Sequence, residues 1–429
     1  MKSRFKISPR LLFFAIVAFS LPFSLYAEMN LDIPGIGYTD EVVGVGCFLL
    51  FIFYLLKGKL HPTDIAIFVF TTLVAIMGLI GNYTYRIIGD WFPVAVDTVC
   101  LYKIFMPFVV FKAVAESDKE ALMMKYLMPI SKLFLIAASI FGILSQFIDL
   151  GMTENNTRYG IYAYTFVFNN CGRYGYIVAC AFITILFSEF DISKLRFYEA
   201  LTVFNMILTT KGVVYIVLVA YVILVIMWRK KQKLSLQSMA FIALGSIAAS
   251  TLQINSYIKD RNSPRMTLVK YGNITAKEHF PFGSGFATFG SDMAAKNYSL
   301  LYIRYGFNQR FGLSQEFPFA LNDCYLGMVL GQFGYIGTFF YVIVLVFIFI
   351  PIKNLVIERR IKAMTIAMFI GVIVSTIGTA IIKSSIGVYI FIFLGMVCGY
   401  SGVETEREKY LRTAENPDAN KLKIKFKFK

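Results

Sequence analysis

Apolar runs of 16 residues or more recur along the whole 429-residue chain, and most are long enough to cross the hydrocarbon core of a bilayer. A soluble domain cannot hide that many. Only 16% of the residues are charged and 57% are hydrophobic, against about 25% charged in an ordinary soluble domain. In lipid every backbone polar group has to be satisfied within the protein, so the runs are expected to be helices. The expected fold is an all-α polytopic bundle.

The formal charge of +16 divides the runs into two sides. Spread over a soluble surface it would point to nucleic acid; here the basic residues sit in short connections, the signature of cytoplasmic loops. Leu25 stands where signal cleavage would want a small residue, so the run at 11–27 is expected to remain as the first span. Spans near 42–57, 65–82, 93–115 and 127–148 follow, then a sixth ending before Lys194 and Arg196. The seventh and eighth are short and meet at Thr209-Thr210-Lys211-Gly212. The eighth ends in Arg229-Lys230-Lys231-Gln232-Lys233, the strongest cytoplasmic marker. A ninth near 237–254, a tenth near 325–350 and two more give twelve spans with both termini inside. The chain therefore reads as a bundle over 1–254, a long outer loop over 255–322, C-terminal spans over 323–403 and a basic tail over 404–429.

The outer loop breaks the charge rule. It carries Lys259, Arg261, Arg265, Lys270, Lys277, Lys296, Arg304 and Arg310 against Asp260, Glu278, Asp292 and Glu316. Insertion permits but does not require such an excess. Arginine grips phosphate in a fixed bidentate geometry, so an anion-binding chamber is expected here. Within the loop, Pro281-Phe282-Gly283-Ser284-Gly285-Phe286 implies close backbone approach at Gly283 and Gly285. Ser291 is expected to cap a helix running to Arg304, with Asp292 and Lys296 one turn apart and Tyr298, Leu301 and Tyr302 on the membrane surface. An earlier outer loop adds Arg158-Tyr159-Gly160 and Asn169-Asn170-Cys171-Gly172-Arg173-Tyr174, residue types that stack on sugars and bond their hydroxyls. Asp97 and Lys103 lie inside the fourth span on different helix faces, so each needs its own partner or a wet cavity.

Other chemistries find no motif. No glycine-rich nucleotide loop, CxxC or Cys/His metal spacing occurs, and His61 and His279 are the only histidines. No cofactor, metal or nucleic acid is expected, and the lack of an internal repeat weighs against an inverted-repeat transporter.

The second half, roughly 200–340, resembles a known family. The Thr-Thr-Lys-Gly turn, the arginine-led loop, Pro-Phe-Gly-Ser-Gly-Phe, and Asn322-Asp323-Cys324-Tyr325-Leu326 followed by Gly-Gln-Phe-Gly-Tyr-Ile-Gly carry the likeness. They resemble the bacterial O-antigen ligase/polymerase superfamily, and within it the Wzy-type polymerases. Arg261 with Gly272 reproduces an Arg-x10-Gly spacing of such loops, Lys211 stands where relatives have Ser-Arg, and Asp323 where ligases have His-Asn. Arg158 has no glycine at the matching distance, and no histidine precedes Tyr325.

The resemblance implies a glycosyltransferase-C-like membrane enzyme of the bacterial inner membrane. It would join undecaprenyl-pyrophosphate-linked repeat units at the periplasmic face, beside a flippase and a chain-length regulator of the same pathway. Arg265 and Arg304 are then expected to hold the pyrophosphate, with Lys211 in support and Asp323, or else His279, as base. Arg158, Arg173, Arg261, Lys270, Gly283, Gly285 and Tyr325 complete the expected substrate site. A ligase acting on lipid A–core, or a transporter, are the competing readings.

Overall fold

The computed structural model describes residues 8–229, apart from Asp32 and Pro34, and 263–415. The apolar runs fold as helices close to the expected positions. They are α1 (Pro9–Asn30), α2 (Thr39–Leu56), α3 (Pro62–Tyr85), α4 (Trp91–Glu116), α5 (Leu122–Leu144), α6 (Cys171–Ser188), α7 (Ile192–Leu208) and α8 (Gly212–Arg229). The outer lobe adds α9 (Pro264–Glu278), α10 (Asp292–Lys296) and α11 (Leu300–Arg304). The chain then continues through α12 (Tyr325–Lys353), α13 (Arg359–Ser375), α14 (Ser385–Gly399) and α15 (Glu406–Glu415). Among the described residues, eight helices are long and apolar enough to cross a membrane, which makes this a polytopic, membrane-embedded helix bundle. The shorter α7, α13 and α14 fall where the seventh, eleventh and twelfth spans are expected. The expected ninth span, Lys230–Lys233 and the end of the basic tail lie outside the described residues.

Burial sorts the helices into a centre and a rim. α6 is almost wholly buried, and α14 is buried along its length against α4. A Cβ on Gly395 would stand 2.3 Å from Phe108 O and one on Gly399 2.3 Å from Lys112 O, so these glycines let the two backbones meet. The rim turns Leu49, Leu133, Phe339 and Val346 outward, as a lipid-facing surface requires. The intramembrane charges are paired as their cost demands. Lys103 bonds Asp40 at 2.7 Å and also Glu41, and Lys112 bonds Asp64 at 2.8 Å. Asp97 pairs with neither lysine.

Asp97 instead anchors the outer loop. Its Oδ2 accepts from Ala287 N at 3.0 Å and from Gln332 Nε2 at 3.3 Å. Residues 283–291 are buried between α3 and α12. There α12 breaks at Gly334 (φ 62°, ψ −167°), which frees carbonyls that an unbroken helix would use. Gly331 O accepts from Ser284 N and Gln332 O from Gly285 N, both at 2.9 Å. On the other side Asn82 accepts from Phe286 N at 2.7 Å and donates to Phe286 O at 2.9 Å. Irregular backbone persists at this depth because these groups find protein partners.

The connection near 149–170 carries a β-hairpin outside the helical bundle, β1 (Thr153–Arg158) and β2 (Ile161–Tyr164), and two expectations need correcting. Tyr159 and Gly160 both take positive φ, the two-residue turn that matches strand twist. The helix expected from Ser291 to Arg304 is instead two short pieces. Ser291 does cap the first, accepting from Ala294 N at 3.1 Å. Tyr298, Leu301 and Tyr302 pack with Phe289, Phe307 and Leu313 in a separate outer core, so they do not lie on the membrane surface.

Candidate functional site

A recess opens at one end of the bundle, where residues 379–384 lead into α14. The gap above α14 is a chamber of about 350 Å³. Its wall draws on the segment before α6, the α7–α8 turn, the start of α9, residues 322–323 and residues 379–384. The structure gathers all of these at one end of the bundle.

Arg173, Lys211, Arg265 and Lys383 face Asp292 and Asp323 there, a formal excess of two positive charges. The N-terminal ends of α6, α8, α9 and α14 meet the same wall, adding the positive ends of four helix dipoles. Asn170 caps α6 through Gly172 N at 2.9 Å and Arg173 N at 3.1 Å, fixing where Arg173 leaves the helix.

Two ion pairs shape the interior. Arg265 Nη2 is 3.1 Å from Asp323 Oδ2, and Lys383 Nζ is 2.9 Å from Asp292 Oδ2. Asn322 also donates to Asp292. Position in the cavity wall works against ionising Asp292, but Lys383 and Asn322 outweigh it and hold its carboxyl below the ordinary 3.8. Asp292 thus pairs away from Lys296, across to a lysine 91 positions on. Beneath the chamber a pocket of about 30 Å³ shares Asp292 and Lys383 and is lined by Tyr325, Asp97 and Gln332. Tyr325 is buried there, its ring 5.8 Å from that of Tyr341, and is not part of the chamber wall.

The expected residues divide. Arg265, Asp323, Lys211 and Arg173 come together. Arg158 stands behind Lys211, pairing with Glu154 at 3.1 Å. Burial opposes ionisation of Glu154, yet Lys211, its bond from Cys171 and Arg158 bring its carboxyl below the usual range. Arg304 and His279 do not reach the chamber. Arg304 lies 3.5 Å from Glu278 with its side chain 61% exposed. Glu278 ends α9, 13 residues and so about 20 Å along the helix from Arg265. His279 follows it, buried against the Tyr85 ring at 4.7 Å and donating from Nδ1 to Thr275 O at 2.9 Å. Lys270 is exposed on α9 beside Tyr271. Gly283 and Gly285 do permit close approach, but to this chain's own backbone at Gly334 and Asn82. Gly272 likewise faces Gly327, where a Cβ would meet its O at 2.4 Å; Arg261 lies outside the described residues.

Sequence reasoning missed Lys383, which stands in an unremarkable polar break between two apolar runs. It read Asp292 only as a helix start. No local signal marks either, because their roles exist only across the chamber.

No protein-family model matches the chain, and no curated protein matches it. The site itself is a recess with cations on four connections, a carboxylate at its mouth, and no cluster of metal-ligating residues among those described.

Proposed function

We propose that the chain is a membrane glycosyltransferase that polymerises undecaprenyl-pyrophosphate-linked oligosaccharide units at the periplasmic side of a bacterial inner membrane. The observation that carries this reading is the convergence of Arg173, Lys211, Arg265 and Lys383 on one recess of about 350 Å³ at the bundle end. A lipid pyrophosphate presents its charge at that level, where low local dielectric strengthens each contact.

In the reaction, an acceptor sugar hydroxyl on one lipid-linked unit attacks the anomeric carbon of the donor glycan. The bond from that carbon to the pyrophosphate oxygen breaks, and the lipid pyrophosphate leaves with the electron pair. Arg265, Lys211 and Lys383 stabilise the charge that develops on it. The hydroxyl proton passes to Asp323, whose side chain is 39% exposed at the mouth and oriented by Arg265. Asp292, held by Lys383 and Asn322, serves to position the lysine.

The distance of His279 from the chamber favours polymerase over ligase, because it removes the remaining histidine in the outer loop. The tight pairing of Lys103 and Lys112 leaves no unpaired lysine in α4 of the kind a transporter would use. The test is deletion in a host that makes O antigen. A polymerase leaves lipid A–core capped with a single repeat unit, since ligation still proceeds. Uncapped core with long polymer stranded on the carrier lipid refutes the assignment, and an unchanged glycan profile favours a transporter.

A further inference from the structure

A second cavity among the described residues lies at the other end of the bundle and plays no part in this chemistry. It has a volume of about 920 Å³ and is walled by Arg196, Arg229, Arg359, Arg360 and Arg407. Glu199, Glu358 and Glu408 oppose them, leaving a formal excess of two positive charges. α8 separates the two sites, with Lys211 at one end and Arg229 at the other, so 18 residues place them about 27 Å apart.

The arginines are not equivalent. Arg360 pairs with Glu199 at 3.1 Å and Arg407 with Glu358 at 3.5 Å. Arg359 donates to Trp228 O at 2.9 Å and ties the start of α13 to the end of α8. Arg196 and Arg229 make no hydrogen bond or ion pair among the described residues. Thus three arginines are tied to partners in the wall, while Arg196 and Arg229 line the cavity with exposed side chains. The first turn of the 17-residue α13 also opens here, because Glu358 at its N-cap makes no capping bond.

Inside-positive charge bias does not distinguish lysine from arginine. Other connections at this end use lysine, at Lys57, Lys59, Lys119 and Lys125. The cavity has arginine at all five cationic positions, the choice that matches phosphate oxygens bidentately. Ile192, Val225 and Leu411 add an aliphatic side to the wall.

We propose that this cavity is a second anion site, which binds a phosphate ester through Arg196 and Arg229. The phosphate comes either from the headgroup of an anionic phospholipid or from a soluble phosphorylated compound. The site is independent of the glycosyl transfer assigned to the chamber.

The test uses the purified full chain in neutral detergent, with binding of phosphatidylglycerol read by native mass spectrometry. Phosphatidylcholine is the control lipid and inorganic pyrophosphate the soluble competitor. Retention of phosphatidylglycerol over phosphatidylcholine is expected. Affinity should fall about tenfold in R196Q/R229Q, little of it should return in R196K/R229K, and R265A should leave it unchanged. Each single variant, R196Q or R229Q, should show part of the loss if the double variant does not fold. Displacement by pyrophosphate assigns the site to a soluble phosphate, and resistance assigns it to the lipid. Equal retention of both lipids with no pyrophosphate binding that R196Q/R229Q weakens, or an unchanged affinity in R196Q/R229Q, overturns the proposal.

Discussion

Arg265 and Asp323 stand 58 positions apart in sequence and 3.1 Å apart in space, Nη2 to Oδ2, at the mouth of the cationic chamber. The start of α9 and the segment before α12 are held in this register by the crossing of Gly272 over Gly327. One residue of the pair is assigned to the leaving pyrophosphate and the other to the acceptor proton, so changes to either have separable effects.

Arg265→Ala should lower polymer formation about a hundredfold at normal protein level, in line with removal of a preorganised charge donor. Arg265→Lys should recover little, since a single ammonium cannot reproduce the fork. Asp323→Asn keeps the shape and removes the base. The readout is chain extension from purified lipid-linked repeat units, and wild-type rates in all three variants would remove the pair from the reaction.

Lys383→Ala should cost as much as Arg265→Ala, although no motif marks Lys383. Arg304→Ala and His279→Ala should stay within about threefold of wild type, because neither touches the chamber and an exposed pair such as Arg304–Glu278 contributes little. The same extension assay ranks all four. Greater loss in the last two than in Lys383→Ala would move the site to the far end of α9.

The acidic limb of stability should depend on Asp292. Its folded carboxyl titrates below the ordinary 3.8, so its stabilisation is complete above about pH 4 and disappears as pH falls through the lower folded value. Glu154, lowered from 4.5, acts in the same direction. Thermal midpoints should be flat in this respect from pH 5 upward and fall below pH 4. Asp292→Asn should show a shallower fall, and an identical slope would contradict the Lys383 pairing.

Gly272→Val and Gly283→Ala should destabilise by roughly 3 kcal/mol or more, because each added Cβ meets fixed backbone within 2.5 Å. Thermal unfolding in detergent measures this. Loss of activity in protein of normal stability would instead return these glycines to the substrate site.

Single cysteines in a cysteine-free background test sidedness. One placed at Lys277 should react with an impermeant thiol reagent from outside, and one at Lys194 should not. Labelling of both would overturn the assigned orientation.

The sequence by itself determined the helices and the basic or acidic character of their connections. Hydropathy and charge are local properties: a span is apolar wherever it packs, and a basic connection is basic whatever faces it. That is why α2 through α8 and α12 fall near their expected positions, and why Lys211, Arg173, Arg265 and Asp323 were visible as candidates. Only the tertiary structure decided which charges meet. The turn before α14 brings Lys383 to the recess, and the break at Gly334 receives the glycine motif in the bundle as packing. The length of α9 carries Glu278, with Arg304 beside it, and His279 about 20 Å away from Arg265. Each outcome depends on where helices end relative to one another, and no window of sequence contains that information.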